Sequence, residues 1–147
     1  MATTFTLYDE ATKYLMDGTI DLDTNTIKVA LVTSAYTFDA TDVIWADVSA
    51  NEVATGNGYT TGGATLGSPT LTQSSGTCTF DAADVAFSAL TKTFRRAILY
   101  VSGTVNGVVD PLIGAVLFDS TPADVVMNGL DFNIMWSASG IVTLAKV

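Results

Sequence analysis

Apolar and polar residues change their period along this chain, and each change marks an element. Positions 27–33, Ile27-Lys28-Val29-Ala30-Leu31-Val32-Thr33, form a β-branched run. In an extended chain Ile27, Val29 and Leu31 point one way, and Lys28, Ala30 and Val32 the other. Apolar side chains on both faces predict a central strand of a sheet. Before it, Leu7, Tyr8, Ala11, Tyr14 and Leu15 recur at helical spacing, with Asp9 and Glu10 in the first turn where they favour the helix dipole. The spacing predicts one long helix, capped by Thr6, running to about Met16 and ended by Gly18, with Asp9, Glu10 and Lys13 on its wet face. Short runs at 70–73, 77–80, 85–88, 94–101, 112–118, 130–136 and 141–145 read as strands separated by turns. Their spacing, with no helical period between them, predicts a mainly β domain, an antiparallel β-sandwich or barrel with one N-terminal helix.

The turn chemistry agrees. Ser74-Ser75-Gly76 suits a hairpin turn, and Ser102-Gly103-Thr104 through Asn106-Gly107 ends another strand. Asp110-Pro111 and Thr121-Pro122 interrupt the chain where a central strand cannot continue. Ser137-Ala138-Ser139-Gly140 reads as the loop of a last hairpin that brings Phe132, Ile134 and Trp136 back to Ile141, Thr143 and Ala145.

Between the central strand and the later ones lies an excursion, residues 36–67, that keeps neither period. A short helical turn fits near Asp47 to Asn51, and Trp45 is placed to tie the segment to the body. Gly56 to Gly67 holds five glycines in twelve residues, interleaved with threonine. No lysine follows as in a phosphate-binding loop, so the reading is an extended loop or arm whose backbone can approach another surface closely, a neighbouring subunit included. The chain is read as one domain over 1–147.

Composition adds the question of a partner. Charged residues are only 14% of the chain against 48% apolar. This is well below the roughly 25% charge of an average soluble domain. That leaves apolar surface for a partner to cover. No run of about 18 apolar residues is present to span a membrane as a helix. A formal charge of −9 repels phosphate backbones and argues against nucleic acid as a direct partner. The start, Met1-Ala2-Thr3-Thr4-Phe5, lacks the basic and apolar segments of a signal peptide, which points to synthesis in a cytoplasm. Cys78, the single cysteine, reads as a small packed hydrophobe.

Catalytic chemistry is thinly represented. The chain has no histidine, the commonest general base and zinc ligand. Asp17, Asp21 and Asp23 crowd one turn without the glycine and glutamate spacing of a calcium loop, and read as solvated carboxylates. Asp81 with Asp84, or Asp119 with Asp124, can be nominated as glycosidase pairs, but fifteen acids produce such pairs by chance. Arg95-Arg96, the one basic doublet, must point to opposite faces of a strand, one side chain to a carboxylate and the other to an interface or a second internal bridge. No catalytic residue, cofactor or metal site is assigned.

Several stretches together resemble a family of small structural proteins encoded by tailed bacteriophages and prophages. They are Phe5 to Ala11, Ile27 to Tyr36, Trp45 to Val53, Gly58 to Gly63 and the ending Phe132-Asn133-Ile134-Met135-Trp136-Ser137-Ala138-Ser139-Gly140-Ile141. The resemblance covers nearly the whole chain. It implies a non-enzymatic virion component: a capsid decoration or cement protein on the outer surface of the head, bound to the major capsid protein and to copies of itself. A trimer is the first expectation and a dimer the second. The resemblance also admits a tail, tail-fibre or receptor-binding role. A glycan-active enzyme ranks last. The expected interface residues are exposed aromatics and arginines: Tyr36, Phe38, Trp45, Tyr59, Arg95 and Arg96, the types enriched at interface hot spots.

Overall fold

The strands predicted at the centre of the chain pair as the two-faced pattern requires. The structure is a computed structural model that describes residues 4–147; Met1 to Thr3, on which the reading of a leaderless start partly rests, lie outside the described residues. In chain order the elements are β1 (Thr4–Leu7), α1 (Asp9–Met16), β2 (Ile27–Val32), α2 (Trp45–Val48) with a 3-10 turn at Ser49–Asn51, β3 (Ala64–Thr65), β4 (Thr70–Ser74) and β5 (Thr77–Asp81). They continue with β6 (Val85–Leu90), β7 (Thr93–Phe94), β8 (Arg96–Val101), β9 (Thr104–Val105), β10 (Val108–Val109), β11 (Leu112–Leu117), β12 (Val125–Val126), β13 (Leu130–Ile134) and β14 (Val142–Ala145). The fold is mainly β, and every pairing is antiparallel.

The main sheet runs β1-β11-β8-β2-β3. β2 and β8 pair from Ile27 opposite Val101 to Val32 opposite Arg96. This register puts Ile27, Val29, Leu31, Ala97, Leu99 and Val101 on one face, in a large core shared with Phe80, Phe87 and Ile134 of β5, β6 and β13. The other face, with Ala30, Val32, Ile98 and Tyr100, is closed by Tyr8 and Ala11 at the start of α1 and by Tyr36 and Val48 of the excursion. The sheet is therefore covered twice, by strands on one side and by helix and loop on the other. That explains why β2, β8 and β11 read as nearly continuous apolar runs. Opposite the main sheet lie a three-stranded sheet, β14-β5-β4, and the pair β13-β6.

The predicted Ser74-Ser75-Gly76 turn forms, and the 102–107 segment expected to end a strand holds a second tight turn. Ser75-Gly76 joins β4 to β5, and Asn106-Gly107 joins β9 to β10, each with two successive positive φ angles (51° and 83°; 45° and 82°), the geometry that matches the twist of a two-residue hairpin.

Three expectations are corrected. Thr6 does not cap a helix: it lies in β1, paired with Ala115, and α1 begins only at Asp9 with no side-chain cap. Its first donors are satisfied by tertiary carbonyls instead, Tyr8 N–H by Ile113 (3.1 Å) and Asp9 N–H by Ala40 (2.9 Å), so sheet pairing overrides the local cap signal. The last hairpin does not exist. β13 pairs with β6, β14 pairs with β5, and Ser137 to Gly140 cross between the two. Alternation reports which face a residue occupies but not which strand lies beside it.

The third correction concerns residues 36–67, which lie on the body rather than extending from it. Gly63 has φ +77°, and a Cβ there would overlap the carbonyl of Val29 in β2; a Cβ on Gly58 would meet the backbone of Ser88 to Leu90 in β6. The glycines do permit close backbone approach, but to this chain's own strands. Gly63→Ala is expected to destabilise the protein by on the order of 3 kcal/mol, strain and overlap together. Gly129→Ala, at φ +72° with open space around it, should cost only the backbone strain, about 1 kcal/mol. Urea unfolding of the two variants checks the difference.

Candidate functional site

The six expected interface residues separate into two groups. Tyr36 and Tyr59 are only 5% and 4% exposed, so they are not surface anchors in the folded chain. Tyr8 donates to the Tyr36 hydroxyl (2.9 Å), which donates to Asp42 Oδ2 (2.8 Å). This relay fastens the start of α1 to the excursion. The Tyr59 hydroxyl accepts the Leu31 N–H of β2 (3.1 Å) and donates to Glu52 Oε1 (2.6 Å), which also accepts Gly62 N–H (2.6 Å). Each phenol satisfies polar groups that the fold takes out of water, and this is why large amphipathic rings occupy these positions.

Phe38, Trp45, Arg95 and Arg96 are half-buried. Trp45 stacks flat on Tyr100, centroids 4.6 Å apart and planes 6° from parallel, and its backbone N–H donates to the Asp110 carbonyl (2.8 Å). It ties the excursion to β8 as expected. Phe38 packs on Tyr8 (5.1 Å), and the Arg96 guanidinium lies 5.7 Å over its ring. Arg96 Nε is buried without a hydrogen-bond partner; that burial holds the guanidinium below its usual pKa, and the cation–π contact offsets part of the loss. On the opposite face Arg95 Nε pairs with Asp124 Oδ1 at 2.8 Å. One arginine thus has a carboxylate and the other an aromatic ring, and the two are not brought together.

The acidic candidates are already engaged, some within their own loops and others by distant segments. Asp17 accepts Thr19 N–H (2.9 Å), and Asp21 accepts Asp23 N–H (3.3 Å). Asp81 binds Ala82 N–H and Asp84 binds Trp136 N–H, each at 2.9 Å. Asp119 takes both the N–H and the hydroxyl of Thr121 (3.0 and 2.7 Å), while Asp124 holds Arg95. Hydrogen bonding by the Thr19 and Thr121 side chains lowers the pKa of Asp17 and Asp119, and by the Asp23 and Thr24 side chains that of Asp21, so the three stay ionised rather than poised as general acids. Among the described residues no three His, Cys, Asp or Glu side chains are grouped to hold a metal, and no helix is long and apolar enough to cross a membrane.

What the strand list did not reveal is an apolar groove at the open end of the larger core. It lies between the inner face of the three-stranded sheet and the end of α1 with the turn after it. Leu71, Cys78 and Leu144 lie on its floor, and Leu15, Ile20 and Leu22 face them. The signal was present in the alternation Thr70-Leu71-Thr72, Thr77-Cys78-Thr79 and Thr143-Leu144. Pairing brings these together as one apolar face and one threonine face, with Thr72, Thr79 and Thr143 in a row. Cys78 is half-buried at this groove rather than sealed in the core.

No protein-family model matches the chain, and neither the curated proteins nor the solved structures offer a match.

The buried phenols give the fold a defined alkaline limit. Burial raises all four of Tyr8, Tyr36, Tyr59 and Tyr100 above the ordinary value of 10.0, Tyr36 and Tyr100 to about 12. A raised folded pKa means stability that is intact below pH 10.0 and lost as pH rises toward about 12. Absorbance titration of tyrosinate should therefore show these four phenols ionising together with loss of structure between these limits. Tyr59→Phe, which leaves the Leu31 N–H and Glu52 without their partner, should cost about 2 kcal/mol in urea unfolding.

Proposed function

We propose that this protein is a non-enzymatic structural component of a tailed-bacteriophage virion, a decoration or cement protein that bridges neighbouring capsid subunits on the outer surface of the head. The observation that carries the reading is large apolar side chains left in water on a charge-poor chain. Met135 is 77% exposed, Val126 70% and Leu130 65%, each in a different local setting rather than around one cleft. Scattered apolar contacts of this kind suit a protein held by several neighbours at once. Each contact can be modest, because symmetric repetition over a shell multiplies weak sites into a firm attachment. The occupied carboxylates and the absence of histidine favour this reading over a glycan-active enzyme. The sequence resemblance supplies the virion.

The partners are the major capsid protein and further copies of this chain, a trimer before a dimer. Electron cryo-microscopy of native particles, with the protein located by a labelled antibody, is the test. Density distributed over the head is the expected result. Label confined to the tail would replace the cement role with the tail or receptor-binding one. A particle without label, or turnover of a polysaccharide by the purified protein, would overturn the reading.

A further inference from the structure

β1 is the outermost strand of the main sheet, and its outer edge is unguarded. Tyr8 N–H bonds the Ile113 carbonyl (3.1 Å) at the end of the ladder that β1 forms with β11. Alternation along an antiparallel pair then turns the peptide groups of Thr4 and Thr6 toward β11 and those of Phe5 and Leu7 outward. Among the described residues no hydrogen bond reaches these outward groups. Sheet edges are commonly blunted by charge, proline or a bulge. Thr4-Phe5-Thr6-Leu7 has neither charge nor proline, and its register with β11 runs unbroken.

The space beneath this edge is open as well. A cleft of about 280 Å³ lies between Phe5 and Val116 above and Ile134, Trp136 and Ile141 below, with exposed Met135 at its side. A shallower one continues it, where Phe5 and Leu7 face Ile141 and Val142 at the start of β14. No α1 residue lines either cleft. None of the lining residues is charged, on a chain of fifteen acids and six bases. Depletion of charge marks the core of an interface. It also keeps like charges out of direct contact when two chains at −9 meet here.

Edge and clefts together define the neighbour. It is an uncharged strand, apolar toward the clefts and small and polar on the other face, where Thr4 and Thr6 are exposed. β1 itself has this pattern. Two copies related by a twofold axis perpendicular to the sheet, with Thr6 opposite its counterpart, place Phe5 of each opposite Leu7 of the other. In that register the outward N–H groups of each copy meet the outward carbonyls of the other, and none is left over. The second copy's Phe5 and Leu7 lie on the cleft side and close its mouth.

We propose that β1 pairs with β1 of a second copy of this chain, antiparallel and centred on Thr6, so that the main sheets of the two molecules join into one. Such a contact is isologous and closes at two copies, which favours the dimer over the trimer that the resemblance ranks first. The inference does not depend on the virion reading, since it follows from the edge, the clefts and their lack of charge.

The test uses the whole protein. Sedimentation equilibrium should show a monomer–dimer equilibrium that tightens with added salt, which screens the repulsion between the two net charges of −9. Thr6→Lys and Thr6→Glu put like charges face to face across the axis, and each should weaken the dimer about fivefold. Their equimolar mixture should restore it, because opposite charges then meet. In a Cys78→Ala background, Thr6→Cys should cross-link under mild oxidation, since residues opposed in this way have Cα atoms about 4.5 Å apart, within disulfide reach. Thr4→Cys, also exposed on that face, should not, because its counterpart lies about 14 Å away along the strands. As Thr4 and Thr6 are exposed, urea midpoints should confirm that these variants fold. A trimer, a monomer at every concentration up to millimolar, or a dimer that salt dissociates would overturn the proposal. So would a mixture of Thr6→Lys and Thr6→Glu no tighter than either alone, or cross-linking of Thr4→Cys as fast as Thr6→Cys.

Discussion

The outer edge of β2 is the constraint on which the rest of the structure depends. β2 carries the most deeply buried apolar residues of both cores, so the peptide groups along its outer edge are removed from water and must find partners within the chain. No single strand supplies them. β3 pairs only with Lys28 and Val29, Val53 N–H bonds the Leu31 carbonyl (3.0 Å), and the Tyr59 hydroxyl takes the Leu31 N–H that neither segment reaches. The 36–67 excursion is thus a discontinuous fifth strand, assembled from two short backbone pieces and one phenol. Its glycines let the pieces come close enough, and Glu52 fixes the phenol's orientation.

This account explains what was legible in the sequence and what was not. The central strand and the strands of the second half were legible because periodicity records burial, and in an antiparallel fold burial follows the pleat. The Ser75-Gly76 turn was legible because positive φ at successive positions admits few residues. Thr6 misled because a threonine ahead of a helix signals a cap, whereas here Phe5 and Leu7 pair with β11. The last hairpin misled because β13 and β14 alternate correctly and yet take different partners. Pairing is a long-range choice, and neighbouring residues carry little information about it.

The same limit applied to the candidate site. Residue type nominated Tyr36 and Tyr59 for the surface, but a phenol suits a buried backbone donor as well as an interface, and only the location of Leu31 and Asp42 distinguishes the two. Trp45 and Arg95 did what their chemistry suggested, one stacking and the other finding a carboxylate. The groove escaped notice because its floor is collected from three strands, each contributing one apolar residue among threonines. In sequence each is an ordinary alternating strand, and only the shared register makes them a surface.

The crossing of Ser137 to Gly140 between the two outer sheets also sets the order in which the molecule can be built. β6 waits for β13 and β5 waits for β14, across separations of more than forty residues, while β1 waits for β11. A ribosome that has delivered the first two thirds of the chain has therefore released neither outer sheet in finished form, and β5 and β6 each have an edge without its strand partner until β14 and β13 emerge. Long-range pairings of this kind form slowly and nearly at once, when all the strands they join are available.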